Sequence, residues 1–263
     1  MFKNLMLAAI ILLCTLPGWG KKKEQPPDPA YAGITARGRM LAEYDTAVKH
    51  ATDAVRATGA AEESLTDYVA KKTDARWVVA FGRLNDARDK FLITYQATQG
   101  GTPHEFKPSQ NTPPLEDTGF FYLAAKALEI SRHDFPRENR PYNFAVLPAE
   151  SNQMYVYIYP AQTKPGIYTM GGDVRYLISP DGSSIVEKQQ LHKSILEIDI
   201  SGVVTKGKLE EGWHTDALSD VPLDTDVFYV LTRKPAAPEI VRTRKETYKV
   251  QADGTIVVAK MGH

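Results

Sequence analysis

Two histidines and two aspartates are the residues in this sequence whose types could do chemistry: His192 in LHKSILEIDI, His214 and Asp216 in EGWHTDALSD, and Asp173 at the head of DVRYLIS. A spacing of two puts His214 and Asp216 on one side of an extended segment. Imidazole nitrogens and carboxylate oxygens together suit zinc or a harder divalent ion, and an ion held this way can activate a bound water. His192, His214, Asp216 and Asp173 therefore form the candidate metal site, and a metal-assisted hydrolase using His192, His214 and Asp216 is its enzymatic reading. The competing reading bonds His192 to a carbonyl or an aspartate in the core and leaves His214 and Asp216 to order a loop. No ligand spacing of the zinc-motif kind chooses between them.

The neighbours of His192 offer less. Read as one strand, LHKSILEIDI sends His192, Ser194, Leu196, Ile198 and Ile200 to its more apolar face and Lys193 outward. Same-face neighbours stand about 6.5–7 Å apart, beyond direct hydrogen-bond reach. No G-x-S-x-G elbow frames any serine, so serine hydrolysis is set aside and no catalytic residue is assigned. HEFKP, around His104, lacks the second histidine of the zinc-protease motif. His50 reads as the flank of a helix, and His133 as a last-turn residue that complements the helix's negative end.

The second candidate site is MYVYIYP, where Tyr155, Tyr157 and Tyr159 fall on one face. Their row spans roughly 13 Å, and exposed phenols could stack on a sugar or line a groove for a peptide. These three are the candidate ligand-binding residues. A run apolar on both faces equally fits a central strand covered on both sides.

The elements that would position these groups read as an α+β fold: N-terminal helices and a hairpin, a second helix, then a mostly antiparallel twisted sheet built as a meander of hairpins. Apolar residues at Tyr31, Ile34, Leu41, Tyr44, Val48, Ala51 and Val55 keep one helical stripe, which Gly59 ends. SLTD, from Ser64, predicts a short helix reaching Lys72. Arg76 to Leu84 and Lys90 to Ala97 flank the polar turn NDARDK as hairpin strands. Residues 98–118, rich in proline and glycine, read as a linker or working loop. A second helix is predicted over 119–132, capped by Asp117 or Thr118. Beyond Asn143 every apolar run, VFYVLTR included, reads as a strand. RYLISPDGSSIVEK and TYKVQADGTIVVAK are two hairpins turned at Asp-Gly.

The first twenty residues, MFKNLMLAAIILLCTLPGWG, have the basic start, short apolar run and small residues of a signal peptide, followed by a charged, proline-rich tether over residues 21–30. An uncleaved N-terminal anchor is the alternative. Cleavage would remove Cys14, the only cysteine, and leave no transmembrane span in the mature chain. Residues 31–97 and 119–263 are expected to dock as one unit. The 263 residues carry 32 basic and 32 acidic side chains, so no net field steers the chain toward nucleic acid.

The expected function is thus that of an exported, periplasmic or extracellular, non-catalytic protein with no cofactor, binding an unknown ligand or protein partner in the cell envelope. The alternatives are the metal-assisted hydrolase, with zinc or another divalent metal as cofactor, and a purely structural envelope component.

Overall fold

The computed structural model describes residues 28–136, 138–164, 166–199 and 211–259. The leader, most of the tether, Ile200 and His263 lie outside them. The described residues form an α+β fold of three α-helices and fourteen mostly antiparallel strands, beginning with a helix. Among them no helix is long and apolar enough to cross a membrane.

Helix α1 (Ala32–Arg56) follows from its stripe: Leu41, Tyr44, Val48, Ala51 and Val55 are all buried. Two four-stranded antiparallel sheets lie against it. The first runs β1 (Tyr68–Thr73), β2 (Arg76–Leu84), β3 (Phe91–Gln99), β4 (Phe106–Asp117) in order. The second has the order β5 (Tyr142–Pro148), β6 (Met154–Pro160), β8 (Val174–Ile178), β9 (Ile185–Gln190). Helix α2 (Phe120–Asp134) covers their other face. Asp117 Oδ1 caps α2 by accepting the Gly119 and Tyr122 N–H groups at 3.1 and 3.0 Å.

This layering explains the doubly apolar run in β6. Tyr157 and Tyr159 pack into the cluster that contains the α1 stripe, while Met154, Val156 and Ile158 pack into the one that contains α2. In β3 the faces switch along the strand: Phe91 and Ile93 join the α2 cluster, Tyr95 and Ala97 the α1 cluster, across a register shift. A second shift falls beside Gly82, where an added Cβ would lie 2.0 Å from the Leu92 carbonyl oxygen, so only glycine fits.

The remaining elements carry the candidate site. Strands β7 (Ile167–Gly171) and β10 (Ile195–Asp199) pair antiparallel. Strands β11 (Gly212–Thr215), β12 (Glu239–Arg242), β13 (Thr247–Val250) and β14 (Ile256–Val258) form a fourth sheet, parallel at β11–β12 and antiparallel elsewhere. Helix α3 (Asp224–Thr232) packs Val227 and Val230 against this sheet and Phe228 and Tyr229 against the core under α1.

Four sequence expectations are corrected. Residues 106–117, inside the predicted linker, are strand β4, which pairs with β3 through 106–110 and 115–117 on either side of a register shift. SLTD yields only a 3-10 turn, Glu62–Leu65, and the chain then enters β1. VFYVLTR lies in α3, a helix with Val227, Phe228, Tyr229 and Val230 all buried. LHKSILEIDI is strand only from Ile195, so Leu191 and His192 are both buried while Ser194 is exposed beside Lys193. Both Asp-Gly hairpins form as expected, β8–β9 and β13–β14, with Gly182 and Gly254 at φ 71° and 84°.

Candidate metal centre

His192 and His214 come from segments far apart in sequence and meet at the N-terminal turn of α3. Behind His192, the Gly171-Gly172 turn takes positive φ of 78° and 64° and passes close beneath the chain. A Cβ on Gly171 would come within 2.2 Å of the Ser194 carbonyl oxygen. That approach brings Asp173, the next residue, up to His192, and Leu191 N–H donates to the Asp173 carbonyl at 2.9 Å. His214 is held by the parallel pairing of β11 with β12, which sets Gly212 opposite Glu239.

Asp226 stands between the two rings. Its Oδ1 lies 3.0 Å from His192 Nε2 and 2.9 Å from His214 Nε2. Its Oδ2 accepts the Leu223 N–H at 2.6 Å and so caps the first turn of α3, where the helix dipole favours a carboxylate. Each ring is also gripped from behind: Asp173 Oδ1 lies 2.8 Å from His192 Nδ1, and Glu239 Oε1 lies 3.0 Å from His214 Nδ1. Arg233 Nη1 then donates to Glu239 Oε2 at 2.6 Å, and Nη2 to the Ala237 carbonyl at 2.7 Å.

All of these groups are buried, which decides their electrostatics. Burial opposes an imidazolium at His192, yet Asp173 and Asp226 outweigh it and hold the pKa well above the ordinary value. Burial likewise opposes charge on His214, but Asp226 and Glu239 raise its pKa to about 9. For Asp226, burial favours the neutral acid, and the two histidines win, holding it below the usual carboxylate range. Three carboxylates, Asp173, Asp226 and Glu239, face one permanent cation, Arg233. Two imidazolium protons complete the balance, and so would one divalent cation between neutral rings.

The arrangement suits such an ion. One ligand atom each from His192, His214 and Asp226 lie within 4.8 Å of one another. A tetrahedral ion with bonds of about 2.1 Å holds its ligand atoms roughly 3.4 Å apart, so small side-chain rotations would close the set. Carboxylates on the far ring nitrogens keep the protons on Nδ1 and aim the Nε2 lone pairs inward, the usual support of metal-binding histidines. Asp216 is buried next to this group. Its Oδ1 accepts the Leu218 and Ser219 N–H groups at 3.0 and 3.2 Å, and its Oδ2 has no partner. Burial raises the Asp216 pKa against the pull of its turn N–H and of His192.

Of the set read from the sequence, the structure therefore joins His192 and His214, puts Asp173 behind His192, and leaves Asp216 alongside. Asp226 and Glu239 were missed. Asp226 immediately precedes VFYVLTR, the segment read as a strand, and the available signal was LDTD, acidic residues at a helix start. Glu239 gave no signal, since its role arises from strand pairing.

The tyrosine row lies on one face, but that face is packed. Tyr157 donates to Asp224 Oδ2 at 2.8 Å, and Tyr159 to Asp45 Oδ1 at 2.7 Å. Asp224 also accepts Arg37 Nε at 3.0 Å and binds Arg175. Only Tyr155 is half-buried, with the Arg175 guanidinium 4.9 Å above its ring. Two of the three phenols are thus committed to the protein's own carboxylates and offer no surface for stacking.

Comparison with known families, curated proteins and solved structures finds no match to this chain.

Proposed function

We propose that this is an exported, non-catalytic protein built around one divalent ion of the zinc class, held by His192 Nε2, His214 Nε2 and Asp226. The observation that carries the reading is the convergence of both Nε2 atoms on Asp226 Oδ1, with a carboxylate behind each ring. Export rests on the leader-like first twenty residues.

A structural role is favoured over hydrolysis because the donors are closed in. His192, His214 and Asp226 are 6%, 3% and 1% exposed. A hydrolytic ion keeps a coordination position open to substrate, whereas a structural ion is fully enclosed. The ion would tie α3 to the 191–194 segment and to β11, adding to the apolar contact that Leu191 already shares with Phe228 and Tyr229. The wider role, as a component or partner of the envelope, follows from export and the lack of assigned catalytic residues.

Elemental analysis of tag-free protein purified without chelators tests the reading. One equivalent of metal is expected, with a lower melting temperature after chelation that zinc restores. At free zinc about 1,000 times Kd the recovered stability is roughly 4 kcal/mol. A metal-free preparation whose melting curve ignores added zinc would end the proposal.

A further inference from the structure

A cleft of about 600 Å³ opens between α1, the end of β6, β7 and the C-terminal turn of α3. It gathers groups that the metal centre does not use. At its rim stand Lys49 and His50 from α1, His104 from the β3–β4 loop and Lys234 just after α3. His104 Nδ1 and His50 Nε2 are 2.9 Å apart, with ring centroids separated by 4.6 Å. One ring donates to the other, and neither His50 Nδ1 nor His104 Nε2 has a partner among the described residues. Lys234 makes no ion pair there either, and Lys49 has only a loose one, 3.7 Å from Asp53.

The other end of the cleft has the opposite character. Asp45 gives Oδ1 to the Tyr159 hydroxyl at 2.7 Å, and its Oδ2 is not bonded by any described group. Burial raises the pKa of this carboxyl against the Tyr159 hydrogen bond and the Lys49 charge. Phe228 and Leu231 of α3 supply apolar wall. Lys49 is one helical turn beyond Asp45, about 6 Å along α1.

A concave site with two ammonium groups and two imidazoles at one end attracts an anion. Among the described residues no arginine lines it, so the rigid fork that favours phosphate is missing there. The C-terminal turn of α3, a negative helix end, also lines it and opposes a multiply charged ligand. We propose that the cleft binds a small organic acid, with its carboxylate at the Lys49, His50, His104, Lys234 rim, an apolar body against α3, and a hydroxyl donating to Asp45.

Titration calorimetry of the mature, metal-replete protein with 4-hydroxybenzoate as probe tests this. Benzyl alcohol and benzylamine serve as the neutral and cationic controls. Saturable binding of the acid is expected, weakened about tenfold or more in the double variant Lys49→Gln, Lys234→Gln, with little heat from either control. Binding should also be tighter near about pH 5.5 than near about pH 8, because His50 takes up a proton as the anion binds. The groups facing His50 are Lys49 and Asp53 on its own helix, His104 and Lys234. Burial, Lys49, His104 and Lys234 lower its pKa, and Asp53 raises it. Three outcomes overturn the proposal: no saturation up to about 10 mM acid, equal binding of the amine or the alcohol, or unchanged binding in the lysine variant. Copper or zinc bound in a second equivalent and lost in His104→Gln would make the rim a cation site and overturn it too. Circular dichroism of each variant checks folding, and both lysines are exposed, so their replacement leaves the core intact.

Discussion

His192 and His214 direct their Nε2 atoms at the same oxygen, Asp226 Oδ1, from 3.0 and 2.9 Å. Each spends its other nitrogen on a second carboxylate. One carboxylate oxygen between two ring nitrogens satisfies either two protons or one cation in the same place. The two states carry equal charge but differ in proton count and in which substitutions they tolerate.

Asp226→Asn separates the ligand role from mere packing, because the amide keeps the shape and loses the charge. Stoichiometric zinc should be lost. Asp173→Asn and Glu239→Gln, which reach the rings at their far nitrogens and not the ion, should lower affinity about 10–100-fold while leaving one site. Competition with a chromophoric chelator reads all three. Full zinc retention by Asp226→Asn would show that the rings do not share an ion there.

Without metal, the network makes stability depend on pH. Folded His214 keeps its proton up to about pH 9, whereas an unfolded imidazole releases it near about 6.5. The folded state therefore holds more protons between those values, and stability falls as pH rises through that window. The contribution is complete below about pH 6.5 and gone once His214 is neutral. His192, raised in the same sense by Asp173 and Asp226, extends the decline upward. Zinc-loaded protein should show the opposite slope at acid pH, since protons compete with the ion for Nε2. Urea midpoints measured across this range in chelated and zinc-loaded protein check both. A flat profile for the chelated form would contradict the charged network.

The buried tyrosines should behave as core residues. Tyr157→Phe and Tyr159→Phe each remove one hydrogen bond to a carboxylate, from Asp224 and Asp45, and should cost about 1.5–3 kcal/mol. Replacement by Ala opens a cavity as well and should cost roughly 3–5 kcal/mol. Denaturant unfolding measures the series. An alanine variant of either residue with wild-type stability would mean that the face is not packed.

What could be read in the sequence is what local pattern controls. The α1 stripe and the two Asp-Gly hairpins depend on neighbours within a few residues, and they formed where expected. Helix α3 was misread because it is buried nearly all round, so no polar face marks a helical period and its Val, Phe and Tyr residues favour a strand by propensity. Strand β4 was misread because prolines argue against strands, yet β4 is an edge strand with most side chains exposed, where they are tolerated. His192 could be picked out on the apolar face of its segment, His214 by its spacing from Asp216, and Asp173 by its place at the head of a strand. Glu239 could not, because its position comes from parallel pairing, and Asp226 could be signalled only through LDTD at the start of α3.

Gly38 sets how closely α1 approaches that misread helix. A Cβ there would lie 2.5 Å from both Val227 Cβ and the Asp224 carbonyl oxygen, inside any tolerable contact. Gly38→Ala gains about 1 kcal/mol of helix propensity, but it must push α1 from the first turn of α3 and should cost roughly 1–3 kcal/mol net. Because that turn holds Asp226, zinc affinity should fall with it. Gly33 is the control on the same helix: its added Cβ meets only the Arg37 side-chain end at 3.5 Å. Gly33→Ala should raise stability by up to about 1 kcal/mol and leave zinc binding unchanged. Melting curves and chelator competition on the two variants decide it, and equal effects from both would show that α1 and α3 do not meet at Gly38.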